Sequence, residues 1–105
     1  MAYFLCRLVP PRASFGTDMT PIEGALMARH AEHLRVLADA GTVVVFGPVL
    51  DPAGVWGLAV LEAADGAAAR VIADADPVIR AGAGFSYDIM PMPATTVGRL
   101  ASGAP

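Results

Sequence analysis

Two ionisable residues stand where local rules disfavour them, and together they would suit proton-transfer chemistry. The first is His30. On a helical wheel of residues 22–40 at about 100° per residue, Leu26, Met27, Leu34 and Leu37 fall within about 60° of it. Arg29, Glu32, Arg35 and Asp39 point the other way. An imidazole in such an apolar stripe needs a hydrogen-bond partner from elsewhere in the chain, or it costs roughly 1–3 kcal/mol. The second is Asp76, which directly precedes Pro77. A residue before proline avoids the helical region, so Asp76 is expected in an extended conformation where the chain leaves its second helix. A carboxylate against an imidazole fixes its tautomer and makes it a better general base. The plainer alternative is a satisfied core histidine beside a turn aspartate.

Other constellations carry less chemistry. His30 and His33 stand at i, i+3, a spacing two metal ligands can use, and Asp76 could be a third. The chain has only these two histidines and one cysteine, and the surrounding sequence is no known zinc pattern, so no metal site is expected. His33 lies at the edge of the apolar stripe, where it could reach a ligand or simply bond a neighbouring loop. Cys6, centred in an apolar strand, reads as a small hydrophobe rather than a nucleophile. All seven basic residues are arginine, so a lysine Schiff base and a phosphate-binding P-loop are excluded. Gly47-Pro48 is expected to line a pocket, because glycine lets a ligand approach the backbone closely. A plain turn explains that dipeptide equally well. Trp56 is either packing or a stacking surface for a ring-shaped ligand.

The elements that must position these residues follow from pattern and punctuation. Residues 2–9 form a strand whose two faces are both largely apolar, ended by Pro10-Pro11; residues 12–19 are a loop. Thr20-Pro21-Ile22-Glu23 is a helix start with a capping box, and the helix runs to about Ala40, stopped by Gly41. Residues 42–46 form a second strand ended by Gly47-Pro48. After a turn at 51–54, residues 55–62 return as a third strand. Asp65 caps a second helix over 66–74, residues 80–84 turn, and 85–92 make a fourth strand. Residues 93–105 lack periodicity and read as a tail, flexible or wrapped on a partner.

The order strand, helix, strand, strand, helix, strand predicts an α+β domain over residues 1–92. It would have the ferredoxin-like βαββαβ arrangement, with a four-stranded antiparallel sheet and two helices on one face. In that arrangement the end of the second helix approaches the middle of the first, so His30 and Asp76 come within reach of each other. The other sheet face needs cover. A hydrophobic fraction of 55% against 16% charged residues suggests that a second subunit supplies it, making a homodimer. The net charge of −3 without a basic cluster argues against nucleic acid, and no apolar run approaches a membrane span. A single cysteine makes a cytoplasmic location the default expectation.

The pattern His30-x-x-His33-Leu34-x-x-Leu37-x-x-x-Gly41, then Phe46-Gly47-Pro48, then Asp76-Pro77 and Gly82, resembles the YciI-like (YCII-related) family from Phe4 to Met92. The resemblance implies a ferredoxin-like fold, dimers of the dimeric α/β-barrel type, and a paired site in which His30 and Asp76 fall on the family histidine and aspartate. His33 stands where many members carry an aromatic residue, and the loop at 10–21 is longer than in the shortest members.

These readings converge on a small enzyme that needs no cofactor. His30 would be general acid or base and Asp76 its orienting partner, with Gly47, Pro48 and His33 lining the ligand site. The chemistry would be isomerisation, elimination or hydrolysis of a small organic molecule. The competing expectation is a non-catalytic binding or interaction module in which the His–Asp pair is structural.

Overall fold

The first strand is the spine of the sheet. In the computed structural model, which describes residues 1–98, β1 (Ala2–Val9) pairs antiparallel with a strand on each side. The others are β2 (Val43–Val49), β3 (Trp56–Ala63) and β4 (Ser86–Met92), in the order β2-β3-β1-β4. All pairings are antiparallel, and the register sets Phe4 opposite Leu61 and Cys6 opposite Ala59. Four helices accompany the sheet: α1 (Phe15–Asp18), α2 (Pro21–Asp39), α3 (Gly66–Asp74) and α4 (Pro77–Arg80). The α+β class is as expected, and the strand order is consistent with the ferredoxin-like arrangement.

The core lies on one face of the sheet. Phe4, Cys6 and Leu8 of β1 and Ala59 and Leu61 of β3 pack against Leu26 and Leu34 of α2 and Ala69 and Ala73 of α3. Alternation then directs Leu5, Leu58, Val60, Val45 and Met90 to the opposite face. Among the described residues no helix covers that side. Val45 remains 50% exposed and Met90 45%, so within one subunit this face of the sheet stays open.

Local chemistry explains the helix boundaries. The Thr20 side chain accepts from the Glu23 N–H while Glu23 accepts from the Thr20 N–H, completing the capping box. Gly41 leaves α2 at φ +83°, a conformation that a side chain would strain. Asp65 caps α3 through Ala68 N–H.

Three expectations change. The chain forms four helices rather than two, because Pro77, placed at the first helical position after the Asp76 cap, starts the short α4 instead of only closing α3. Gly47-Pro48 does not end the second strand, which continues to Val49 after an irregularity between Val43 and Val45. Proline is tolerated there because β2 is an outer strand, and Pro91 occupies the other outer strand, β4. The 12–19 loop contains α1, held by an ionic knot. Arg12 Nε reaches Asp18 Oδ1 at 2.7 Å, and its two terminal nitrogens bind both Glu23 oxygens at 2.8 Å. Of the expected tail, 93–98 are non-helical and unpaired as strand, and 99–105 lie outside the described residues. Among the described residues no helix is long and apolar enough to cross a membrane.

Candidate active site

α2 presents His30 between a hydrogen bond and a cavity. The helix is fixed to the sheet by buried Leu26 and Leu34, one turn to either side of His30. Its imidazole is not sealed in the core as the wheel suggested. The side chain is 14% exposed and lines a cavity.

Asp76 approaches from the junction of α3 and α4. Its backbone is extended (φ −61°, ψ 130°), as the following proline requires. Its side chain is 1% exposed and does two things at once. Oδ1 accepts from Val78 N–H at 2.9 Å, capping α4. Oδ2 lies 2.7 Å from His30 Nδ1. The same carboxylate therefore both caps α4 and partners His30.

Tyr87 completes the group from β4. Its hydroxyl donates to the same Asp76 Oδ2 at 2.7 Å. Burial opposes the charge on Asp76. The hydrogen bonds from His30, Val78 N–H and Tyr87 outweigh it and hold the carboxyl below its ordinary range. Burial, then the adjacent Asp76 charge, raises the Tyr87 hydroxyl far above its usual range, so it stays protonated and a donor. Sequence reading missed Tyr87. The available signal was strand parity: residue 87 pairs with Leu8 and so shares its buried face, where a phenol needs a partner.

The cavity beside His30 has a volume of about 410 Å³. Phe46, Gly47 and Pro48 of β2, Met27 and Ala31 of α2, and Phe15, Met19 and Phe85 all line it. Gly47 and Pro48 thus line the cavity next to His30. Trp56 lines it too and is oriented by an Nε1 hydrogen bond to Asp51 Oδ2 at 3.1 Å. The segment carrying Phe15 sits close over the β2–β3 turn. A Cβ on Gly54, at φ +137°, would stand 2.9 Å from the Ala13 carbonyl oxygen.

His33 is placed elsewhere. It borders a separate void of about 10 Å³ together with Asp76, Tyr87 and Cys6. Its Nε2 is buried without a hydrogen-bond partner. It thus lies behind the His30–Asp76 pair rather than in the larger cavity. Cys6 is fully buried, and desolvation pushes its thiol up to about 11, against a smaller opposing effect of Arg70. It is no nucleophile at neutral pH. Among the described residues, no three His, Cys, Asp or Glu side chains converge as a metal site.

The arrangement can do one kind of chemistry well. With Nδ1 committed to Asp76, Nε2 is the ring nitrogen left to meet a ligand. A base of this form can take a proton from a molecule in the cavity and return it to another atom.

The family model for the YCII-related domain matches residues 4–93. No curated protein matches the chain.

Proposed function

On the premise that this chain belongs to the YCII-related domain family, we propose that it is a cofactor-independent enzyme that moves a proton on a small organic molecule. His30 Nε2 is the general acid or base. Asp76 orients the ring and stabilises the imidazolium once the proton has arrived, and Tyr87 holds the carboxylate in place and charged. The reaction classes open to such a group are isomerisation, elimination and hydrolysis. The observation that carries this reading is the division of labour on His30: Nδ1 sits 2.7 Å from a buried carboxylate while the ring lines a ligand-sized cavity.

A second copy of the chain belongs to the same reading. The uncovered sheet face carries Leu5, Val45, Leu58, Val60 and Met90, and pairing two such faces would bury them.

The test is proton exchange. An enolisable ring ketone such as 2-tetralone is incubated with the protein in deuterium oxide, and loss of its α-hydrogen signals is followed by NMR. Exchange should be faster with the wild type than with His30→Gln by about 10²-fold or more. Equal exchange with both proteins, with the ketone bound, would leave a binding module as the better description.

A further inference from the structure

We infer that the cavity selects an uncharged, mostly apolar molecule and excludes carboxylates and phosphates. This rests on the proposed function for the part His30 plays, and goes beyond it by naming the ligand class.

The lining carries the argument. Among the described residues that bound the cavity, His30 is the one ionisable group, and the surroundings are hydrocarbon and aromatic surface such as Phe15, Phe46 and Trp56. An anion entering such a space loses its water and gains no fixed positive charge in return. The nearby arginines do not supply one. Arg12 is bound to Asp18 and Glu23. Arg7 lies over the Trp56 ring, 5.1 Å from its centroid, and does not line the cavity.

Protonating His30 does not reverse the preference. The imidazolium would stand 2.7 Å from a carboxylate held in its charged form, so the pair sums to zero. With His30 neutral, the site carries the Asp76 charge and repels anions outright. In neither state does the cavity present net positive charge. What it offers is mostly apolar contact, with the His30 imidazole as its one ionisable side chain. A neutral molecule with one hydroxyl or carbonyl matches that set.

A matched pair of probes isolates charge from shape. 2-Naphthol and 2-naphthoate share a ring system and differ in charge at neutral pH. Binding is measured by titrating each into nitrogen-15-labelled protein and following the Trp56 and His30 side-chain signals. 2-Naphthol should bind about tenfold or more tighter than 2-naphthoate. Leu50 lines the cavity and is 87% exposed, so Leu50→Arg adds a cation at the mouth without disturbing the core. That variant should narrow the gap by strengthening naphthoate, which localises the binding. Naphthoate binding the wild type as tightly as naphthol overturns the inference, as does saturable binding of neither. Catalysis is judged separately: naphthol preference without any tetralone exchange would remove the enzyme reading and leave the ligand class standing.

Discussion

The phenol of Tyr87 and the imidazole of His30 meet at one atom: each lies 2.7 Å from Oδ2 of Asp76. A strand residue and a helix residue thus share a single carboxylate oxygen, and each limits where the other can move. The carboxylate's second oxygen is taken by the Val78 N–H. Rotation of Asp76 would break all three contacts together.

Tyr87→Phe removes one of these contacts while keeping the ring volume. The hydrogen bond is to a charged acceptor in the interior, so its loss should cost about 1–3 kcal/mol. Urea unfolding of the wild type and variant measures it. Tetralone exchange should fall less than in Asp76→Asn, because the His30 contact survives.

Asp76→Asn and Asp76→Ala should separate catalysis from folding. The asparagine can still cap α4 but cannot stabilise an imidazolium. It should therefore fold and lose exchange activity by about 10²–10⁴-fold. The alanine leaves His30, the Tyr87 hydroxyl and the Val78 N–H without an acceptor and should cost about 3 kcal/mol or more in the same unfolding assay.

Acid should weaken the fold in a manner traceable to Asp76. Its carboxyl lies below the ordinary 3.8 when folded. A depressed folded value adds stability that is complete above the unfolded value. That stability shrinks as pH falls below the unfolded value, and is gone beneath the folded one. Glu23, lowered to about 2 chiefly by its Arg12 hydrogen bonds, acts in the same direction, so a difference curve is needed. Wild-type stability minus that of Asp76→Asn, measured from about pH 6 to about pH 2, should decline on the acid side. A flat difference would mean that Asp76 titrates alike in both states.

Arg12→Met should loosen the cavity's lining. Arg12 ties Asp18 to Glu23, and with them the segment that carries Phe15 and Met19. Amide exchange across residues 14–20 should accelerate, with the sheet amides unchanged. Binding of 2-naphthol should weaken.

Val45→Asp tests the second copy. Residue 45 is 50% exposed on the uncovered face, so a charge there is harmless to the isolated subunit. Sedimentation should show the wild type as a dimer and the variant shifted to monomer. A monomeric wild type would remove the paired-face reading.

Much of this was legible in the sequence, for identifiable reasons. The capping box at Thr20–Glu23 and the Gly41 stop are local devices, and local chemistry decided α2. His30 and Asp76 stood out because each broke a local rule, and the structure brings them into contact. The misses were tertiary. Pro48 stays in a strand because of where β2 lies in the sheet, which no local pattern encodes. α1 depends on Arg12, Asp18 and Glu23 meeting across a turn. Tyr87 needed the β1–β4 register before its hydroxyl could be assigned to a buried carboxylate.

Both outer strands carry a proline, Pro48 in β2 and Pro91 in β4. Each removes a backbone donor from a rim that would otherwise template another chain. A molecule this rich in apolar residues is thereby discouraged from growing sideways into fibrous assemblies. The proposed pairing through the flat of the sheet would instead form a closed pair and then stop.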